Sequence, residues 1–272
     1  MNTNLPTVSK LIKRSQISFS GNIDLLDESE SMLSFNKVTG FSLNFPIAET
    51  CSPSKLCVKT CYFARGGASW PAALKKQYRV YNSVKANPKE SAVRLKYELL
   101  GKKNLPTFVR WNGGGDLFEE SVEMLNHFAK LMPNMPIWVV TRLPTIAAKI
   151  EDAPNVFIHF SIDAFSMDRH SNFERLKKKS SNYFYSYQCD KDETPSHNDL
   201  KVISVVFYDK YKPPEKFPKV SMKIICPLNT VDDIEGVCEN CRRCFNSSAV
   251  KHSKKQPGNH IKLSTKVLTK TS

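Results

Sequence analysis

The chain of 272 residues contains no run of eighteen or more apolar residues, which excludes a hydrophobic helix long enough to cross a bilayer. Residues Met1–Ser20 alternate polar and apolar positions without the apolar core of a secretory signal, so the expected location is the cytoplasm, with no membrane partner. No internal repeat is evident. No His-x-His pair occurs, which removes the metal signature of rolling-circle initiators and similar nucleases. Acidic residues are missing from 249–272, although that stretch carries Lys251, Lys254, Lys255, Lys262, Lys266 and Lys270. Further basic runs lie at Lys177–Lys179 and at Lys10, Lys13 and Arg14, and the net charge is +14. Such blocks suit a polyanion through phosphate neutralisation, so nucleic acid is the expected partner; a solubilising tail is the competing reading.

Eight cysteines are present, and in a cytoplasmic chain they are better read as metal ligands than as disulfides. Three crowd together at Cys51, Cys57 and Cys61. Four more follow as Cys226, Cys238, Cys241 and Cys244, in the pattern Cys-x11-Cys-x2-Cys-x2-Cys. Four thiolates close a structural site, as tetrahedral zinc or a fully ligated iron–sulfur cluster. Three leave one position open, where a metal meets a substrate or cofactor. Cys189 stands alone, either as a fourth ligand that would turn the triplet into structural zinc or as a free thiol.

Hydrophobic residues make up 40% of the chain, enough for one large core. Residues 1–35 read as a polar arm, 36–225 as a barrel-like catalytic domain, 226–248 as the cysteine cluster and 249–272 as a basic tail. Strands are expected at Phe41–Ile47, Thr107–Trp111, Ile137–Thr141, Val156–Ile162, Val202–Tyr208 and Val220–Ile225. Helices are expected over Pro71–Leu100, broken near Asn87-Pro88, over Glu119–Leu131 and over Ile146–Ile150. Residues 164–199 escape assignment, except that Tyr183, Tyr185 and Tyr187 mark one face of a strand or a base-stacking surface. Strands separated by helices imply βαβ units and a parallel sheet. Six units are too few for a complete eightfold barrel and fit a partial (β/α)6 barrel.

In parallel α/β folds ligands gather at the carboxyl ends of strands. Each unusual motif falls at such an end: Cys51 after the first strand, Gly113-Gly114-Gly115-Asp116 after the second, Arg142 after the third, and Ser161 with Asp163 after the fourth. Three glycines permit close backbone approach to a ligand, while a tight turn with Asp116 capping the next helix is the plainer reading. Arg142 suits a carboxylate or phosphate. Ser161 and Asp163 suit polar ligand contacts, or Asp163 caps the next segment. His159, within an apolar strand, reads as a hydrogen-bonded core histidine rather than a ligand.

The order of strand, cysteine triplet with adjacent aromatic (Cys61-Tyr62), glycine-rich turn with a carboxylate and then Ser-x-Asp resembles the radical S-adenosylmethionine (SAM) superfamily. Over roughly residues 35–246 the cysteine motifs, Gly115-Asp116 and the terminal Cys-x2-Cys-x2-Cys-Phe resemble the phage "gene product 88" family more specifically. The resemblance implies a radical-SAM type of partial barrel with a cysteine-rich C-terminal metal-binding extension. It implies a [4Fe–4S] cluster on Cys51, Cys57 and Cys61, and SAM beside Gly113, Gly114, Gly115, Asp116, Arg142, Ser161 and Asp163. It also implies a second [4Fe–4S] cluster, or zinc, on the quartet. The expected activity is generation of a 5′-deoxyadenosyl radical, acting on or near nucleic acid, with a flavodoxin- or ferredoxin-type reductant. No catalytic residue is assigned. Two departures stand out: the spacing is C-x5-C-x3-C rather than C-x3-C-x2-C, and Asp116 replaces the usual Glu. The alternative is a non-catalytic, metal-stabilised nucleic-acid-binding protein of a mobile element.

Overall fold

The computed structural model describes residues 24–166, 172, 175–176, 182–196, 203–208, 224–230 and 235–245. The three basic runs therefore lie outside the described residues, as does most of the strand expected at Val220–Ile225.

A tight hairpin opens the sheet. Strand β1 (Leu33–Asn36) pairs antiparallel with β2 (Gly40–Asn44). The Asn36 side chain accepts the Val38 amide at 2.8 Å, and Gly40 takes φ +69°, so the turn residues set the reversal. Five further strands follow in chain order, each parallel to its predecessor: β3 (Val109–Gly114), β4 (Ile137–Thr141), β5 (Val156–Ile162), β6 (Tyr183–Cys189) and β7 (Ile203–Tyr208). The seven-stranded sheet is not closed, because β1 and β7 are its edges. The chain thus belongs to the α/β class, with a mostly parallel sheet. The tyrosine alternation at 183–187 is a strand, inserted between two that the hydrophobic pattern locates. Of the strand expected to end at Ile225, a single parallel bridge to Val206 is described.

Helices α1 (Ile47–Thr50), α2 (Lys55–Thr60), α3 (Pro71–Ala86) and α4 (Pro88–Leu100) join β2 to β3. Pro88 ends α3 because it lacks an N–H, and it then opens α4 at its first turn. Helix α5 (Glu119–Leu131) joins β3 to β4, and the short α6 (Pro144–Ala147) follows β4. Residues 24–35, expected as the end of a polar arm, pack on this helical layer. Leu26, Met32 and Leu33 are buried there, and Arg94 holds the Leu26 carbonyl at 3.0 Å.

Side chains alternate across the sheet. Val109, Trp111, Ile137, Val139, Ile158 and Phe160 join Val84, Leu95, Leu125 and Phe128 in the core under the helices. The other face carries Ser42, Asn44, Arg110, Trp138, His159, Ser186 and Gln188. All seven residues of β5 are nevertheless buried, because the segment 235–245 covers part of that second face. Phe245 stacks on Phe108 with ring centroids 4.1 Å apart, and His159 Nε2 lies 2.7 Å from the Cys244 carbonyl oxygen. The Ser186 hydroxyl takes the other ring nitrogen at 2.7 Å, so His159 is the satisfied core histidine that its apolar strand suggests. Burial holds its pKa down at about 4 and keeps the imidazole neutral.

Candidate functional site

Where β2 ends, Phe45-Pro46 turns the chain into α1, whose last residue delivers Cys51. Ser54 then caps α2, its hydroxyl accepting the Cys57 amide at 3.1 Å, as a serine before a short helix is disposed to do. Cys57 stands within α2 and Cys61 ends it. Cys51 and Cys61 pack with Ile47, Phe63, Ala64 and Leu74 in a small apolar cluster. Burial pushes the Cys51 thiol well above its usual value, with Asp116, Cys57 and Cys61 adding to the effect. It lifts Cys57 to about 11, partly offset by Arg142. The triplet is therefore gathered within electrostatic reach of Asp116, Arg142 and Asp163.

The glycine turn ending β3 fits tightly against this loop. A Cβ on Gly113 would lie 2.4 Å from Asn44 Oδ1, and one on Gly114 would lie 2.1 Å from the Phe63 ring. Gly115 takes φ +80°, a conformation open to glycine, with Phe45 O and Thr50 Oγ1 both 2.7 Å from where its Cβ would stand. The absence of side chains here lets β3 approach β2 and the residues around Cys51 and Cys61. The Tyr62 hydroxyl donates to the Gly113 carbonyl and accepts from Arg110 Nη2 at 2.8 Å.

Asp116 does not cap α5; the Phe118 amide is taken instead by Ser121 Oγ at 2.9 Å. Its carboxylate accepts from Thr141 Oγ1 at 2.6 Å, from the Arg142 amide at 3.0 Å and from the Leu117 amide at 2.7 Å. Its own N–H donates to Thr50 Oγ1 at 2.9 Å. Asp116 thereby ties the end of β3 to the end of β4 and to the residue before Cys51. Burial, opposed by these bonds, raises its pKa to about 6.

Arg142 and Asp163 meet in a buried ion pair at 2.8 Å, with side chains 7% and 0% exposed. Arg142 Nη2 also donates to Gln188 Oε1 at 2.9 Å, the Ser54 hydroxyl donates to Asp163, and Gln188 Nε2 reaches Thr60 Oγ1. Both ends of α2 are thus fastened to the carboxyl ends of β4, β5 and β6. Ser161 is buried on β5, in register with Ser186. Cys189 lies apart from the triplet, fully buried in the core under the helices, where burial raises its thiol to about 12.

The four C-terminal thiols lie within electrostatic reach of one another, Cys238 and Cys244 against the second face. The Cys226 amide donates to the Val206 carbonyl at 2.7 Å, and α7 (Val237–Cys241) carries two more thiols. The Gly236 amide holds the Lys37 carbonyl of the β1–β2 turn at 2.8 Å. Burial raises Cys226, Cys238 (to about 12) and Cys244, and the nearby thiols add to it, while Arg110 works the other way. Among the described residues, no group of three or more His, Cys, Asp or Glu side chains is drawn together closely enough to hold a metal ion as the side chains stand.

Sequence reasoning locates the cysteines, Asp116, Arg142 and Asp163. It misses Thr50, Ser54, Thr60 and Gln188, the hydroxyls and amide that join them, and Arg110. Ser54 had a signal of its residue type alone, since serine is among the preferred residues at a helix N-cap. Gln188 had none, because its strand lies in a region without hydrophobic contrast.

The chain belongs to the Gene product 88 family, whose sequence model matches residues 9–247. No curated protein and no solved structure matches it.

The buried pair gives a direct test. Arg142→Leu leaves Asp163 without its cation and should destabilise the protein by about 3–5 kcal/mol in urea unfolding. The double variant Arg142→Leu/Asp163→Leu should lose markedly less than the single one. An additive double variant would show that the two side chains do not act as a pair.

Proposed function

We propose that this chain is an iron–sulfur protein of radical-SAM type, in which Cys51, Cys57 and Cys61 hold a [4Fe–4S] cluster with one open iron. The observation that carries the reading is the gathering of three thiols at the carboxyl end of β2, beside Asp116, Arg142 and Asp163 from the ends of the next three strands. An odd set of half-buried thiols, with Cys51 and Cys57 raised by burial and by the neighbouring thiols, fits a cationic metal centre, which stabilises thiolates and leaves a coordination position unfilled. Six parallel strands in chain order, with helices on one side, fit a partial (β/α)6 barrel. Cys226, Cys238, Cys241 and Cys244 form a closed second site for iron–sulfur or zinc. A [4Fe–4S] cluster held by Cys51, Cys57 and Cys61, once reduced by a flavodoxin- or ferredoxin-type donor, would supply the one electron that splits SAM into methionine and a 5′-deoxyadenosyl radical able to abstract hydrogen. The protein's part is orientation. Ser54, Asp163, Arg142, Gln188 and Thr60 fix α2, and Asp116 fixes the glycine turn against it.

Anaerobic preparation with iron, sulfide and zinc analysis tests this. Replacing Cys51, Cys57 and Cys61 together by Ala should remove about half the iron, and SAM should perturb the electron paramagnetic resonance signal of the reduced protein only when the triplet is intact. Stoichiometric zinc without iron would favour the non-catalytic reading instead.

Nucleic acid is the substrate class that the charge of +14 favours. Exposed rings beside the cysteine loop fit single strands: Tyr62 is 53% exposed, Trp70 67% and Phe165 57%. The Phe165 amide donates to Asp163 Oδ1 at 2.9 Å, which fixes its backbone beside the ion pair. Of the three tryptophans, Trp111 is fully buried and Trp138 packs under Phe245, so Trp70 is the one whose fluorescence a bound strand reaches by contact. Single-stranded oligonucleotides should quench it, and Trp70→Ala should weaken binding by about 1–3 kcal/mol. Unchanged affinity in that variant would remove the stacking surface from the proposal.

A further inference from the structure

Buried N–H groups without partners are rare in folded proteins, since each costs about 1–3 kcal/mol. Among the described residues four such side-chain donors occur: Arg110 Nε, Trp111 Nε1, Trp138 Nε1 and Arg242 Nε. Trp111 lies under the helices. The other three surround the C-terminal cysteines. Arg110 and Trp138 stand opposite each other in register on β3 and β4, with the guanidinium carbon 4.8 Å from the indole centroid. Trp138 packs with Cys238 and Cys244 against the Phe108, Phe157 and Phe245 cluster. Arg242 sits between Cys241 and Cys244 in the left-handed conformation at φ 52°, its guanidinium 5.6 Å from the Phe245 centroid. Its amide donates to the Cys238 carbonyl at 2.9 Å, which fixes where the side chain begins.

Three donors, two of them cationic, call for a buried anion with several acceptor atoms. Four thiolates on a divalent metal, or on an iron–sulfur cluster, form such an anion, and their sulfurs accept N–H hydrogen bonds. We propose that Arg110, Trp138 and Arg242 are positioning residues that donate N–H···S bonds to the metal-bound sulfurs of Cys226, Cys238, Cys241 and Cys244. This rests on the reading of the quartet as a closed metal site. The cations offset the charge of the site, and the indole adds a neutral donor. Arg110 has a second engagement, since the same guanidinium holds the Tyr62 hydroxyl next to Cys61. The sulfur bonds therefore also set the position of an aromatic ring at the triplet.

The experiment uses the full chain loaded with cobalt(II) under anaerobic conditions. A chelator titration follows the sulfur-to-cobalt charge-transfer band, with Cys241→Ser identifying the contribution of the quartet. Trp138→Phe keeps an aromatic ring and loses the N–H; Arg110→Lys keeps the charge and loses Nε–H. Each should weaken metal retention at the quartet by about tenfold and move the band to lower energy. Trp111→Phe, which removes the unpartnered N–H on the opposite face, should change neither readout. Retention within twofold of the parent in both Trp138→Phe and Arg110→Lys, with an unmoved band, overturns the proposal. An unchanged band in Cys241→Ser would instead overturn the closed-site reading, and this inference with it.

Discussion

The site depends on the buried ion pair between Arg142 and Asp163. Neither side chain has water to turn to, so each must be fully engaged by protein groups. That demand explains the surroundings. Ser54, Gln188 and the Phe165 amide supply further hydrogen bonds, and through Ser54 and Gln188 the pair grips both ends of the six-residue α2. A helix this short has no stability of its own in water. It exists because its cap and its last turn are tied to the ends of three strands. Residues that the sequence offers as ligand contacts thus hold the cysteine-bearing helix and fix where Cys57 and Cys61 stand.

An open sheet explains the quartet's location. A parallel sheet needs both faces covered. The helices cover one face here, while the other mixes the polar side chains of Ser42, Asn44, Arg110, His159, Ser186 and Gln188 with the rings of Trp138, Phe157 and Phe184. The segment bearing Phe245 and three of the four C-terminal cysteines fills part of this face with aromatic contact, and His159 anchors it through the Cys244 carbonyl. Docking these cysteines is therefore part of completing the fold.

The longer helices and most of the parallel strands were legible because their apolar periodicity is strong: Glu119–Leu131, Ile137–Thr141 and Val156–Ile162 match residue for residue, whereas α1 and α2 were not expected and α6 lies at Pro144–Ala147 rather than Ile146–Ile150. β1 was not, since Leu33–Asn36 is only four residues long at the end of a polar arm and its partner lies across a turn. β6 was half legible; its tyrosines showed one face, but Ser186 and Gln188 on the other hid a central strand. At the site, residue types pointed to the right rim, yet not to their partners. Asp116 looked like a helix cap and instead joins two strand ends, because Thr141 and the Arg142 amide reach it across a gap in sequence that no local pattern encodes. The three glycines likewise serve close packing against Phe63, Phe45 and Asn44, a constraint visible only once β2 and β3 are neighbours.

Arg110 joins the two halves of this arrangement. It stands on the polar face of β3, stacked on Trp138 above the quartet, and its other contact is the hydroxyl of Tyr62, the residue after Cys61. Tyr62 in turn donates to the carbonyl of Gly113, in the turn that packs against the triplet's loop. The two cysteine groups are separated by more than 160 residues of chain, yet one guanidinium stands beside both. It is a single cation with two sets of partners, held on the polar face of the sheet between the segment that carries the quartet and the ring that follows Cys61.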